Sequence, residues 1–287
     1  MKLSSQIFLC ISLISLSMSC QKKNTDGLYI INDLSGSLDE ISGITKFSNE
    51  PYLYAINDSG NSNTIYQLDL QGEIVRELTI DNAKNHDWED LAYDFQNNIY
   101  IGDFGNNYND RKNLAIYTVS DISNEKIKTL KTNFRLEDQT DFPPKKKNRN
   151  FDIEAFIYLK GNFYLFTKNR SSEFNGETKL YKVPAQPGNQ IATLITSYKT
   201  CDDASDCFIT GAAINATGDV IALLTYNKIF VLKKFKGDDL FSGTVEKIKL
   251  HHSSQKEGIC FKNESTLIIV DEKGKNKEGF LYEYILN

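Results

Sequence analysis

The sequence predicts an all-β protein built as a five-bladed β-propeller. Three observations carry this prediction: a short phrase that recurs at nearly regular spacing, a pair of strands before each copy, and no long stretch of helical periodicity. The phrase is an aliphatic residue, an aromatic residue and an apolar residue two positions after the aromatic one. Its copies begin at Ile65, Ile116, Leu180, Ile229 and Leu281.

The aromatic residues of successive copies are 51, 64, 49 and 52 residues apart. This spacing is typical of four-stranded blades repeated around an axis. A six-bladed ring is the alternative, and the 64-residue interval is the only place for a sixth blade. That interval contains Pro143, Pro144 and the basic run 145–149 but few strand-like residues, so we predict five blades.

Two strands joined by a tight turn open each repeat, and the turns carry Asn, Gly, Asp or Ser, which tolerate turn dihedrals. The predicted pairs are 44–47 with 52–56, 91–94 with 99–102, 155–158 with 163–166, 213–214 with 220–224, and 259–261 with 267–270. The fifth repeat ends after its third strand. We predict that residues 27–32 supply its missing strand, because this closes the ring and removes an open sheet edge.

The first residues of the chain predict export. Residues 1–19 combine Lys2 with a short apolar stretch, as a signal peptide does. Residues 16–20 resemble a bacterial lipobox, which implies cleavage before Cys20 and acylation of that cysteine. Residues 20–26 would then be a lipidated tether to the membrane of the cell envelope, and 27–287 one propeller domain, which we expect to be monomeric. The alternative is cleavage nearby with Cys20 left as an ordinary thiol.

Cysteine positions and net charge add two expectations. Cys201 and Cys207 flank a short polar loop and are predicted to form a disulfide in an exported protein, whereas Cys260 is predicted to be a buried, unpaired thiol. The net charge of −5 makes nucleic acid a poor partner.

Acidic residues recur at the start of the first strand of three repeats, at Glu89, Glu154 and Glu257. Fourteen residues after them stand Asp103, Lys168 and Asp271. An antiparallel hairpin returns the end of its second strand beside the start of its first, so these groups should meet at one mouth of the central channel. The predicted acidic ring comprises Glu40, Asp58, Asp87, Glu89, Asp90, Asp103, Asp152, Glu154, Glu257, Asp271 and Glu272.

Crowded carboxylates favour a bound cation, and hard oxygen ligands favour Ca²⁺ or Mg²⁺. The predicted metal ligands are Asp58, Glu89, Asp103, Glu154, Glu257 and Asp271. The predicted contacts to an anionic small molecule or glycan are Asn57, Asn106, Arg111, Lys168 and Arg170. If the protein is an enzyme, Glu89, Asp103 and His86 are the candidates for the catalytic base. The alternative is an acidic rim that is merely solvated.

Several phrases resemble an uncharacterised group of exported bacterial β-propellers, and more distantly the SdiA-regulated, esterase-like phytase, gluconolactonase and paraoxonase propellers. The matching phrases are 57–61, 87–92, 102–107 with Arg111, 152–156, 210–213 with 225–226, and 257–259. In the lactonases a glutamate at the start of a first strand binds a central calcium ion, which the resemblance implies for Glu89, Glu154 and Glu257. Ser42 and Ala212 depart from the pattern, because no carboxylate stands there.

These observations leave three hypotheses for function. The first is a lipid-anchored propeller that binds a divalent cation and a small polar or anionic ligand at the channel mouth. The second is a metal-dependent hydrolase of lactones or phosphoesters, in which the ion polarises the substrate oxygen and a rim carboxylate is the base. The third is a platform for protein interactions that needs no ion. The membrane face is left open.

Overall fold

The computed structural model describes residues 24–25, 27–94, 96–123, 127–274 and 279–286. The predicted signal peptide 1–19, Cys20 and the tether apart from residues 24–25 lie outside the described residues. In the described part of the chain, no helix is long and apolar enough to cross a membrane.

The strands form successive antiparallel groups along the chain. The first group is β3 (Ile41–Thr45), β4 (Leu53–Asn57), β5 (Thr64–Leu68) and β6 (Ile74–Thr79). The second is β7 (Trp88–Tyr93), β8 (Ile99–Asp103), β9 (Leu114–Ser120) and β10 (Lys128–Leu136). The third is β11 (Asp152–Leu159), β12 (Asn162–Lys168), β13 (Glu177–Pro184) and β14 (Gly188–Lys199).

Two groups complete the described chain. One is β15 (Gly211–Ile214), β16 (Val220–Leu224), β17 (Lys228–Lys233) and β18 (Thr244–Lys249). The other is β19 (Lys256–Asn263), β20 (Thr266–Asp271) and β21 (Phe280–Ile285), with β2 (Leu28–Asp33) and β1 (Asn24–Thr25) added at its outer edge. Short helical segments occur at Gly36–Leu38, Lys146–Asn148 and Ala204–Cys207.

The first strand of each group lies at the centre of the molecule. Strands β3, β7, β11, β15 and β19 each contact the next, and β19 contacts β3, so they close a ring. Gly43 on β3 permits one of these approaches, because a Cβ atom there would lie 2.8 Å from the Cα atom of Asp90 on β7. The all-β prediction is therefore confirmed, and the architecture is that of a β-propeller.

The segment predicted to complete the last group is β2, which pairs antiparallel with β21 from Leu28 opposite Tyr284 to Asp33 opposite Phe280. The long interval between the second and third copies of the phrase contains β10, which pairs in parallel with β14. This pairing joins the outer strands of two groups into one eight-stranded sheet. The repeat pattern of the sequence does not predict this parallel pairing. Residues 137–151 contain one short helical turn and no strand.

Burial differs between the inner and the outer strands of the groups. Every residue of β3, β4 and β8 is buried, whereas exposed residues dominate the outer strands β6 and β18. Strands covered on both faces favour continuous apolar runs, and half-covered strands favour mixed ones. The five aromatic residues of the recurring phrase are all buried, namely Tyr66, Tyr117, Tyr181, Phe230 and Tyr282. Each such side chain contributes about 1.5–3 kcal/mol on burial.

The three cysteines of the described chain have distinct environments. Cys201 and Cys207 are joined by a disulfide, with their Cα atoms 5.7 Å apart. Cys260 on β19 is a buried free thiol, and burial raises its pKa to about 12. It therefore serves as a small apolar residue in the wall of the central channel.

Candidate ligand site at the channel mouth

A β-bulge recurs at the start of four central strands. The pairing with the neighbouring strand skips Ser42 on β3, Glu89 on β7, Glu154 on β11 and Glu257 on β19. A bulge leaves one residue out of the ladder and re-aims its side chain. Strand β15 pairs without a shift, and Ala212 stands at its corresponding position. The three glutamates are thus the bulged residues of their strands.

These bulges bring the three glutamates to one cavity of about 250 Å³ at the mouth of the channel. Its lining is almost entirely polar and consists of Glu40, Ile41, Ser42, Asp58, Glu89, Asn107, Glu154, Lys168, Arg170, Tyr226, Gln255, Glu257 and Glu272. Of the predicted site residues, Asp58, Glu89, Glu154, Glu257, Lys168 and Arg170 therefore lie together.

The two cations in this cavity are engaged by carboxylates. The Lys168 ammonium lies 2.9 Å from Glu154 Oε2, and the Arg170 guanidinium lies 2.9 Å from Glu154 Oε1 and 2.6 Å from Asp152 Oδ2. Burial disfavours the charged form of Glu154, but these two cations outweigh it and hold the pKa of Glu154 below its usual value. Burial and the neighbouring Glu154 raise the pKa of Asp152 to about 8. Lys168 and Arg170 are thus largely neutralised within the protein.

Among the described residues, no Lys, Arg or His forms an ion pair with the remaining carboxylates of the cavity. Glu89 is only 9% exposed, and among the described residues no hydrogen-bond donor reaches its carboxylate. Burial, and then the charges of Glu154 and Asp87, raise its pKa well above the usual value. Burial also raises the pKa of Glu257 to about 8, against the opposing effect of Lys168. The Tyr226 hydroxyl donates a long hydrogen bond of 3.4 Å to Glu257.

Asp58 completes this set from the end of β4. Burial, followed by the charges of Glu272 and Glu40, raises its pKa to about 7. Its Oδ1 atom is buried without a hydrogen-bond partner in the described part of the structure, as is Oδ1 of the adjacent Asn57. Buried oxygen acceptors are normally satisfied, so these atoms suit a ligand that brings positive charge or donors.

Asp103 lies beside the cavity and does not line it. Its carboxylate is buried, with Oδ2 3.0 Å from His86 Nδ1 and Oδ1 2.8 Å from the Arg111 guanidinium. Arg111 also donates to the carbonyl of Gly105, at 2.7 Å. A Cβ atom at Gly105 would clash with the carboxylates of Glu89 and Asp87, so glycine lets this loop pack against Glu89 without displacing those side chains. Asp103 and Arg111 hold the loop that backs Glu89.

Asp271, Asn57 and Asn106 are also outside the lining of the cavity. Asp271 accepts hydrogen bonds of 2.6 Å from the Tyr282 hydroxyl and from the backbone N–H of Phe280. The Asn106 side chain donates to the carbonyl of Phe151, and the Asn57 side chain donates to the carbonyl of Ser37. The amide N–H groups of both asparagines are therefore used within the fold.

Asp90 was predicted in the acidic ring, but it is a buried link between three central strands. It is fully buried, and its carboxylate accepts from the backbone N–H groups of Leu91 at 2.8 Å, Phe156 at 3.0 Å and Ala212 at 3.3 Å. Burial raises its pKa well above the usual value, against these hydrogen bonds. Beyond it the channel narrows to an apolar space of about 10 Å³, whose lining includes Leu91 and Phe156. The mouth cavity is therefore a pocket that narrows at its inner end, and not part of a wide open channel.

Gln255 also lines the cavity, although nothing in the sequence singled it out two positions before Glu257. Tyr226 lies just after β16 as Asp58 lies just after β4, and hairpin geometry predicts both at the mouth, where both line the cavity. The oxygen-rich lining suits Ca²⁺ or Mg²⁺ by its chemistry. Within the described residues, however, no three Asp, Glu, His or Cys side chains converge on one point closely enough to ligate a single ion.

Comparisons with known proteins show only distant similarity. No protein-family model matches the sequence, and no curated protein matches it. Among solved structures, the PQQ-bound aldose sugar dehydrogenase of Streptomyces coelicolor is 9% identical, with a TM-score of 0.48 over 90% of this chain and 97% of that chain. A gluconolactonase of Xanthomonas campestris is 10% identical, with a TM-score of 0.47 over 91% and 89%.

The Dos1 propeller is 12% identical, with a TM-score of 0.40 over 83% of this chain and 56% of that chain. At these scores the similarity carries no argument about chemistry, and fold alone does not imply function.

Proposed function

We propose that the protein is an envelope-anchored β-propeller that binds a divalent cation, Ca²⁺ or Mg²⁺, and with it a small polar ligand at the channel mouth. The carboxylate of Glu89 carries this proposal. It is 9% exposed, lines the cavity, and receives no hydrogen bond from the described residues. A buried carboxylate without a donor or a cation is costly, so a bound cation would relieve it.

The charges around Glu89 support the same proposal. Asp58, Glu257 and Glu272 share the cavity, and burial raises the pKa of each of them. The cations of the cavity do not compensate, because Glu154 and Asp152 already bind them. A divalent ion would be held by at most two of these carboxylates directly and by the others through water, because the described acidic side chains do not converge on one point.

The first test replaces Glu89 with glutamine, which keeps the shape of the side chain and removes its charge. We expect the affinity for Ca²⁺, measured by isothermal titration calorimetry, to fall about tenfold or more. Glu77→Gln is the matched control, since Glu77 is exposed on the outer strand β6 and should bind like the wild type. Elemental analysis of the purified protein would identify the ion.

The same proteins separate the alternatives. The hydrolase hypothesis gains one observation, because Asp103 lies within 3.0 Å of His86 and could orient that imidazole as a base. Hydrolysis of a lactone or phosphoester that disappears in folded Glu89→Gln would favour this alternative. A wild-type protein whose melting temperature is unchanged by Ca²⁺ and by chelator would overturn cation binding and leave the interaction platform.

Anchoring to the envelope rests on residues 16–20 of the sequence, which resemble a lipobox. We expect the Cys20→Ser variant to leave the membrane fraction for the soluble fraction of the producing cells, because a lipid anchor provides the membrane affinity. Mass spectrometry of the mature N-terminal peptide checks the same point. An unmodified Cys20 in the wild-type protein would contradict it.

For the architecture we propose five blades in one closed ring. The order of contacts among β3, β7, β11, β15 and β19 supports this count. The pairing of β2 with β21 supports closure of the last blade by the N-terminal part of the domain. A ring closed in this way has no open edge between its first and last blades.

A further inference from the structure

A second cavity, mostly apolar, opens at the end of the channel opposite the mouth. The central strands β7, β11 and β15 begin at the mouth and end at this other rim. Their last residues line the cavity, namely Tyr93, Tyr158, Leu159 and Ile214. Its volume is about 410 Å³, within the range of about 300–1,000 Å³ that is typical of small-molecule sites. It shares no lining residue with the cavity at the mouth.

The aromatic walls of this cavity are held in place by the core. The Tyr158 ring stacks on the Tyr100 ring, with their centroids 5.0 Å apart and an angle of 18° between their planes. The Tyr158 ring also packs against Phe163, at 6.0 Å. Tyr93 lies edge-on to Phe47, at 5.9 Å. Because these contacts fix both tyrosine rings, the cavity is formed before any ligand binds.

The polar groups at its rim bind mainly to one another. Oδ1 of the buried Asn215 accepts from the backbone N–H groups of Asp219 and Val220, both at 3.0 Å. Its Nδ2 donates to Thr217 Oγ1 at 2.7 Å and to Asp219 Oδ1 at 2.9 Å. These bonds lie within the turn that joins β15 to β16. They are complete without a ligand, so this part of the rim demands no charged partner.

The charges of the lining cancel. Lys160 and Asp219 are its only ionisable groups besides the two tyrosines, and both are exposed. Hydrogen bonds from Thr217 and then Asn215 hold the pKa of Asp219 below its usual value, so this carboxylate is charged at neutral pH. A charged ligand would be attracted by one of the two groups and repelled by the other. It would also lose hydration against an apolar wall, so the lining favours an uncharged ligand.

One hydrogen-bonding group of the lining is left for a ligand. Tyr158 is half-buried, and its hydroxyl makes no hydrogen bond with another described residue. A phenolic hydroxyl both donates and accepts, so a single polar group on a ligand would satisfy it. Tyrosine rings prefer edge-to-face or offset-stacked contacts with other rings. The two tyrosines therefore suit a flat aromatic ring that carries one polar group.

We propose that this cavity, which we call the distal pocket, is a second ligand site that binds an uncharged aromatic compound with one hydrogen-bonding group. The distal pocket is separate from the cation site at the mouth. Between them the channel narrows to the apolar space of about 10 Å³, which Tyr93 and Ile214 also line. The inference therefore does not depend on binding of a cation at the mouth.

The test uses three probes that share one ring: benzyl alcohol, benzoate and benzylamine. Each is titrated at neutral pH into the full mature protein, with its methyl groups labelled for NMR spectroscopy. We expect benzyl alcohol to bind about tenfold or more tightly than either charged probe, because it enters the pocket without losing the hydration of a charge. The methyl resonances of Leu159 and Ile214 should shift with saturation as it binds.

Two variants locate the site. Leu159→Trp fills the pocket and should reduce the affinity for benzyl alcohol about tenfold or more. Tyr158→Leu keeps an apolar wall but removes the ring and its hydroxyl, and should reduce this affinity about threefold or more. Leu159→Trp leaves the stack of Tyr158 on Tyr100 intact, so the test stands if Tyr158→Leu does not fold. Leu130→Ala is the control, since Leu130 is 52% exposed on the outer strand β10 and should bind like the wild type.

The outcomes separate this inference from the proposed function. Equal affinity for the three probes, or tighter binding of a charged one, would overturn the class of ligand. Wild-type affinity in folded Leu159→Trp would show that benzyl alcohol binds elsewhere, and the distal pocket would fall with it. So would a wild-type protein that binds none of the probes. Glu89→Gln should lose calcium and keep benzyl alcohol, whereas a wild type that binds benzyl alcohol but no calcium would overturn only the function proposed for the mouth.

Discussion

Replacing Asp90 with alanine is expected to lower the free energy of unfolding by about 4 kcal/mol, the largest effect of any single substitution that we predict. The Asp90 carboxylate accepts from three backbone N–H groups, on Leu91, Phe156 and Ala212. Each buried donor left without an acceptor costs about 1–3 kcal/mol. These amides belong to three central strands, β7, β11 and β15. Loss of their shared acceptor therefore weakens the contacts among all three strands at once.

An opposing effect has to be weighed against this loss. Burial raises the pKa of Asp90 well above its usual value, so the charged carboxylate is itself unfavourable in this place. Alanine removes that cost, but it returns no acceptor to the amides and leaves a cavity in a tightly packed region. Asparagine retains one acceptor oxygen and points N–H groups at backbone donors. We therefore expect Asp90→Asn to be destabilised by about half as much.

Urea unfolding at neutral pH measures both variants. Lys128→Ala is the control, because Lys128 is exposed and makes a surface ion pair with Asp121, 2.8 Å long. Such a pair contributes little to stability, so this variant should unfold close to the wild type. If the Asp90→Ala variant is as stable as the wild type, the three amides must find other acceptors, and Asp90 does not link the central strands.

The position of Asp90 illustrates what the sequence could and could not predict. The recurring aromatic phrase and the paired strands predicted the all-β fold, because both follow from burial repeated in every group. The acidic residues at the start of three central strands predicted that Glu89, Glu154 and Glu257 lie near one another. Whether Glu89 or its neighbour Asp90 faces the mouth depends on a bulge, and a shift of one residue reverses the face.

Hairpin geometry predicted which strand ends meet but not where each side chain points. Asp271 ends β20 beside the start of β19, where Glu257 stands. Its carboxylate, however, accepts hydrogen bonds from Tyr282 and Phe280 outside the cavity. Lys168 stands fourteen residues after Glu154, a spacing that places the two across one hairpin and could have predicted their ion pair. The parallel pairing of β10 with β14 depends on contacts between two groups, which no local pattern indicates.

In the presence of a chelator, the thermal stability of the protein is expected to fall as the pH rises from about 4 to about 8. The folded-state pKa is raised to about 7 for Asp58 and to about 8 for Glu257. The unfolded chain titrates these carboxyls near their ordinary values, so between those limits the folded state binds more protons. Their stabilising contribution is complete at the acid end and is lost as the pH rises through the folded-state values.

A divalent cation should reverse this loss, because it binds the deprotonated carboxylates and displaces their protons. With saturating CaCl₂ we expect little change in melting temperature near pH 5 and an increase of about 5 °C near pH 8. Differential scanning calorimetry across this range, with chelator or with calcium, measures the effect. An increase of equal size at both ends of the range would contradict the proton displacement.

The variant Glu257→Gln makes the prediction specific to the mouth. Removing a carboxylate whose charge is unfavourable should stabilise the chelated protein near pH 8 by about 2 kcal/mol, and should flatten its pH dependence. The same substitution should remove most of the gain from calcium, whereas Glu77→Gln should follow the wild type in both conditions. If the Glu257 carboxylate binds calcium, the Glu257→Gln variant should be more stable than the wild type without calcium. Added calcium should then leave its melting temperature almost unchanged. A carboxylate that only stabilises the fold would instead lose stability on substitution in chelator and in calcium alike.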